Sequence, residues 1–248
     1  MAANKAFRFF DLPPELRGAV FSQLLVSDES IILHDTTFFT LPSAGNWNFL
    51  NVFLVNMQMY QEASAIFYSM NRFTLNAHSH RLPVHLTSRG GFLSEEGKDA
   101  RRRVRNLTLY LTRVGGEFER VIGPALSDMV LNGNLRELVM RLGPPSSLGA
   151  SRPPERDMEQ RPPFQALLRL LADPYLEKVK LLAWKAHLAI FCPFHLRINS
   201  SRTDTESVDN QGIAILRNST GWVELDWRAM VDVYAPGQKI VRIGDRTY

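Results

Sequence analysis

Four copies of one apolar phrase constrain this chain most. Val104-x-x-Leu107-x-Leu109-x-Leu111 recurs as Leu135-x-x-Leu138-x-Met140-x-Leu142 and as Leu176-x-x-Val179-x-Leu181-x-Ala183. Met70-x-x-Phe73-x-Leu75-x-Ala77 is a weaker copy ahead of them. The last part of each copy spaces apolar residues two apart, which places them on one face of a pleated strand. The copies begin at 70, 104, 135 and 176, so they lie 34, 31 and 41 residues apart. Helical patterns fill the intervals, at 91–100, 117–131 and 163–172. Strands separated by a helix are joined by crossovers, so the chain is predicted to form parallel strands with its helices on one side. The longest interval contains 143–163, rich in Pro, Ser and Arg, which reads as a loop inserted into the unit.

The L-x-x-L-x-L phrase is similar to that of leucine-rich repeats. Here the units are longer, and Thr112, Gly143 and Trp184 stand where those repeats carry Asn after the strand. Two readings fit equally. One is a short, irregular leucine-rich-repeat-like βα array; the other is a general α/β or α+β sheet whose strands share one pattern. The fold class is α+β with α/β-like repeats.

The N-terminal part is helical. Asp11 stands where a helix N-cap would, and Pro13 and Pro14 suit a first turn because they bring no orphaned donors. A helix is predicted over 13–26, with Leu16, Ala19, Val20, Gln23 and Leu24 at helical spacing and Phe21 and Leu25 widening the stripe. Residues 27–48 break that pattern. Ile31-Ile32-Leu33 and Phe38-Phe39 predict a β-hairpin or extended insertion. A second helix is expected over 49–68, its Val52, Val55, Met59, Ala63 and Ile66 face packing in the core. These boundaries give an N-terminal region 1–72 and a repeat-like region 73–248, or one continuous domain. Near the other end, 181–198 reads as a strand and 199–211 as a polar loop. Trp222 and Leu225 lead into a helix carrying Trp227, Met230, Val231 and Tyr234, ended by Pro236-Gly237, with a last strand at 239–243.

Little in the chain points to chemistry. The net charge of +4 is a mild basic excess. Cys192 is the only cysteine, which excludes an internal disulfide or a cysteine zinc site and fits a reducing compartment, cytoplasmic or nuclear. The most apolar run, 181–194, is interrupted by Lys185 and His187, so no membrane span is expected. His78, His80 and His85 are close in sequence but lack further ligands, and Cys192-Pro-Phe-His195 is half a zinc pattern without its other half. No glycine-rich phosphate loop or nucleophile elbow occurs, and neither a cofactor nor an enzymatic activity is expected. Arg101, Arg102, Arg103 and Arg105 form the densest charge run and are the candidate nucleic-acid contacts, although no aromatic motif accompanies them.

Two phrases bear on function. Phe10-Asp11-Leu12-Pro13-Pro14-Glu15-Leu16-Arg17, followed by Leu24-Leu25, resembles the start of an F-box. Leu54-Val55-Asn56-Met57-Gln58-Met59-Tyr60-Gln61-Glu62-Ala63, then Ile66-Phe67-Tyr68 and Asn71-Arg72-Phe73, is similar to a second phrase of a group of filamentous-fungal F-box-like proteins, whose C-terminal part also resembles Trp222-Val223-Glu224-Leu225-Asp226-Trp227. The resemblance touches both ends of the chain. It implies docking on a Skp-type adaptor of a cullin ubiquitin ligase, with Leu12, Pro13, Leu16 and Val20 facing the adaptor and the C-terminal part holding a protein substrate. The chain departs from an F-box at 27–48, where a second helix would otherwise follow directly.

Overall fold

The chain is described from a computed structural model over residues 8–33, 47–77, 82, 84–111, 114–143, 161–184, 222–238 and 240. Each apolar phrase becomes a strand: β2 (Arg72–Ala77), β3 (Asn106–Leu111), β4 (Glu137–Leu142) and β5 (Lys178–Trp184). Strands β1 (Ile31–Leu33) and β6 (Trp222–Leu225) flank them, and the sheet runs β1-β2-β3-β4-β5-β6. Strands β1 to β5 are parallel, and β6 returns antiparallel to β5.

The repeated phrases lie in register. Leu75 pairs with Leu109, Leu109 with Met140, and Met140 with Leu181. All four are fully buried. Phe73, Leu107, Leu138 and Val179 make a second row, and Ala77, Leu111, Leu142 and Ala183 a third. A one-residue slip would turn every row to the other face, so the burial of the first row fixes the register. Val104, Leu135 and Leu176, the leading residues of the strong copies, are also buried. Met70 leads the weak copy and is half exposed, because it is the last residue of a helix.

Helix α1 is Pro14–Leu25, and α2 is Met57–Met70 after a 3-10 segment Trp47–Leu54. There follow α3 (Val84–Thr87), α4 (Lys98–Arg103), α5 (Gly123–Leu131, continuing a π turn Phe118–Ile122), α6 (Pro162–Leu171) and α7 (Trp227–Tyr234). Neighbouring helices pack as a single row: α1 on α2, α2 on α4, α4 on α5, α5 on α6 and α6 on α7. Phe21, Phe67, Leu126, Phe164 and Met230 from this row share one buried cluster with the leucine-rich face of the sheet. The helices therefore cover one face. Thr74, Asn76, Thr108, Tyr110, Val139, Arg141 and Lys180 alternate onto the other.

Several expectations are corrected. Ile31-Ile32-Leu33 pairs in parallel with β2, as a member of the main sheet, whereas Phe38-Phe39 lies outside the described residues. The helix expected over 49–68 is broken in two, because Asn56 is extended and caps α2, its Oδ1 accepting from the Met59 amide at 2.8 Å. Helix α4 begins seven residues later than the 91–100 pattern suggests, after a run of turns. Trp222–Leu225 is a strand, not a lead-in. The boundary at 72/73 falls at the start of β2, whose partner β1 belongs to the first segment. The expected features at 34–46, 144–160, 185–216 and 241–243 lie outside the described residues.

Asn71 ties the first two units together. Its Nδ2 donates to the carbonyls of Leu25 (2.8 Å) and Phe67 (2.9 Å), and its Oδ1 accepts from the Ser27 amide (2.8 Å). The residue is fully buried and serves the ends of both α1 and α2. Asn71→Ala leaves these backbone groups without their partners, so a loss of about 2–3 kcal/mol is expected in urea unfolding.

Candidate functional site

The F-box-like phrase forms the start of α1. Asp11 does not cap this helix. It closes a 3-10 turn, Phe9–Asp11, and Pro13 holds the N-cap position without a side-chain bond. The proline pair alone supplies the start, since its fixed φ suits the first turn.

Two rows of side chains run along α1, one residue out of phase. Arg17, Phe21 and Leu25 are buried. Leu16, Val20 and Leu24 are 53%, 38% and 51% exposed. The single stripe expected at helical spacing is thus split, with Phe21 and Leu25 turned inward and Leu16, Val20 and Leu24 outward. Leu12 is half buried and Pro13 is exposed, one turn before Leu16.

What turns the helix this way is Arg17. Its Nε and Nη2 donate to the two Glu62 oxygens, each at 2.8 Å, and its Nη1 donates to the Leu12 carbonyl at 2.6 Å. Phe10 lies 5.8 Å from the guanidinium carbon. Gln58 donates a further bond to Glu62 at 3.0 Å. The Glu62 carboxyl is held below its ordinary range, first by the bond from Arg17 and then by that from Gln58. A bidentate pair of this kind fixes orientation as well as charge. Gly18 stands 3.9 Å from Ile66, measured from where a Cβ would be, and the Ser22 hydroxyl meets the Met70 sulfur at 3.7 Å. Contacts 17–62, 18–66 and 22–70 rise together along both helices, so α1 and α2 run in parallel. At about 100° per residue, the Leu16-Val20-Leu24 row is on the flank of α1 roughly opposite α2. That flank belongs to the end unit of the array, beside edge strand β1.

Sequence reasoning missed further exposed apolar residues where α2 begins. Leu54, Val55 and Met57 are 83%, 59% and 68% exposed. The core-facing position expected for Val55 is thereby corrected. The signal that could have found these residues is Asn56, a cap residue in the middle of an apolar run.

The structure separates the four arginines of the basic run. Arg101 is buried, and its Nη1 donates to the carbonyls of Phe92 (3.2 Å) and Ser94 (2.5 Å). Arg102 makes a bidentate pair with Asp128 on α5, at 2.9 and 2.6 Å. Arg103 donates to the Ser64 hydroxyl at 2.8 Å and lies over Tyr60 at 5.3 Å. Arg105 reaches Glu177 at 3.0 Å. Arg101 also lies 4.0 Å from Asp128, so it shares that carboxylate with Arg102, and each of the four is already engaged.

The Arg102–Asp128 pair has a consequence in acid. The bond from Arg102 is the largest cause that lowers the Asp128 carboxyl from 3.8 to about 2. Because the folded value is depressed, the pair's contribution is complete above about pH 4 and is lost as pH falls from there toward 2. The shift is equivalent to about 2 kcal/mol. Urea midpoints at pH 5 and pH 2.5 should therefore converge more closely in Asp128→Asn than in the native chain.

Among the described residues, no three His, Cys, Asp or Glu side chains are placed to hold a metal. His85 is on α3, whereas His78, His80, Cys192 and His195 lie outside the described residues. No helix of the described residues is long and apolar enough to cross a membrane. Compared with known proteins, the chain matches no family model, no curated protein and no solved structure.

Proposed function

We propose that the chain is a non-catalytic interaction protein, F-box-like at its N-terminus, that docks through α1 on a Skp-type adaptor of a cullin ubiquitin ligase. The strand–helix units, taken as an irregular leucine-rich-repeat-like array, then present the protein to be modified. Such an assembly works in the cytoplasm or the nucleus.

One observation carries this reading. The apolar row Leu16-Val20-Leu24 is exposed on a helix already anchored by its other row. Three large aliphatic side chains at half exposure on one helix face are a docking stripe in helix-in-groove recognition, read at spacings of four. They coincide with the phrase that resembles an F-box. Pro13 and Leu12 extend the stripe toward the helix start. The departure from an F-box also has a form: α1 passes into strand β1, not into a second helix. Docking therefore rests on α1 itself.

No observation favours the alternative of a nucleic-acid-associated protein. Its candidate contacts Arg101, Arg102, Arg103 and Arg105 direct their donors to carbonyls, Ser64, Asp128 and Glu177.

Co-expression with a Skp-type adaptor tests the proposal. A single complex in size-exclusion chromatography is the expected result. Two separately eluting proteins would remove the ligase part of the reading.

A further inference from the structure

Helix α5 ends in the one Asn-Gly step of the chain, Asn132-Gly133. An asparagine before glycine is open to intramolecular cyclisation, because no Cβ shields the amide nitrogen that attacks its side chain. Packing keeps glycine at 133. A Cβ there would lie 2.6 Å from the carbonyl oxygens of both Arg102 and Met129, so no side chain fits. Asn132 itself is exposed.

The fold holds this step away from reaction. Asn132 caps α5 with a ψ of 3°, which turns the Gly133 nitrogen away from the Asn132 side chain. Ring closure requires ψ to turn until that nitrogen eclipses Cβ. Arg102 on α4 opposes the turn in two ways. Its Nη2 donates at 2.6 Å to Asp128 Oδ1, the same oxygen that accepts from Asn132 Nδ2 at 3.0 Å. Its carbonyl accepts from the Asn134 amide at 2.8 Å, just past the glycine. The Leu135 amide, bonded to the Met129 carbonyl at 3.1 Å, adds a further anchor.

We infer that Asn132 is a deamidation site gated by the α4–α5 seam, closed while Arg102 holds Asp128 and Asn134 and open when the seam parts. In the open state the Gly133 nitrogen gives its proton to solvent base and bonds to Asn132 Cγ. The Cγ–Nδ2 bond breaks and ammonia leaves. One water then adds to either ring carbonyl, giving aspartate or isoaspartate. The change is one-way. A carboxylate at 132 replaces a donor to Asp128 with a like charge, at the negative end of α5. The isoaspartate form also lengthens the backbone by a methylene between α5 and the Asn134 anchor. The seam then recloses less well, so the site records opening of the central units. None of this depends on α1 or on adaptor docking.

Conversion of Asn132 in the full chain is followed at mildly alkaline pH by peptide mass mapping and ammonia release. An acetylated, amidated peptide of residues 128–137 and the chain unfolded in guanidinium serve as ungated references. Both should convert at least tenfold faster than the native chain, and folded Arg102→Gln at least fivefold faster. Asn71→Ala, a destabilising change in the first units, should stay within twofold of native. Asn132→Asp should unfold at lower urea than the native chain. A native chain that converts as fast as the peptide, Arg102→Gln that converts as slowly as native, Asn71→Ala that accelerates conversion as much as Arg102→Gln, or an unchanged urea midpoint in Asn132→Asp would overturn the inference. If Arg102→Gln does not fold, the native chain in guanidinium below its unfolding transition decides. Conversion that rises ahead of global unfolding supports the gate, and conversion that rises only with it contradicts the gate.

Discussion

Phe67→Ala is expected to cost about 3–5 kcal/mol, the largest single loss of stability among the described residues of the first two units. Phe67 is on the buried face of α2 and is 2% exposed. Its ring lies 5.5 Å from Phe53, 5.2 Å from Tyr68 and 5.6 Å from Phe73, centroid to centroid and edge-on in each case. The substitution thus removes both apolar transfer and three aromatic pairs, each worth about 0.5–1.5 kcal/mol. Surrounding groups cannot close the cavity easily, because Phe73 is fixed by sheet register and the Phe67 carbonyl is held by Asn71. Urea unfolding should show a lower midpoint with an unchanged slope, and Phe67→Leu should recover more than half of the loss.

The second large effect is on binding. Leu16→Asp combined with Val20→Asp should abolish adaptor capture while changing unfolding free energy by no more than about 1 kcal/mol. Both positions are solvent-facing in the free chain, so the charges cost little there. In a complex, each carboxylate would be taken from water into an apolar groove without a partner, which costs several kcal/mol per charge. Phe21→Asp is the contrasting case. Phe21 is 1% exposed and 5.3 Å from Phe9, so this change should unfold the first unit itself.

The sheet was legible because its signal was repeated. Leu75, Leu109, Met140 and Leu181 occupy the same place in each phrase, and the structure aligns them side by side. Parallel order with the helices on one face follows from that repetition. The orientation of α1 was not legible. Rows 16-20-24 and 17-21-25 are both largely apolar, and the charge of Arg17 gives row 17-21-25 the character of a solvated face. Only Glu62, 45 residues away, neutralises Arg17 and lets its row turn inward. Local periodicity carries no information about a partner that distant. The same limit applies to the basic run. Arg101, Arg102 and Arg103 read as one cationic stretch, yet a helix separates successive side chains by about 100° and sends them to Ser94, Asp128 and Ser64 in turn.

The most direct measurement of the docking role is a titration of purified Skp-type adaptor against the immobilised full chain, in native form and as Leu16→Asp. Leu131→Asp serves as control, because Leu131 is 60% exposed at the end of α5, away from α1. Saturable binding by the native chain and by Leu131→Asp, with none by Leu16→Asp, is the predicted result. A native chain that never binds the adaptor, or a Leu16→Asp chain that binds it as well as the native one, would contradict it.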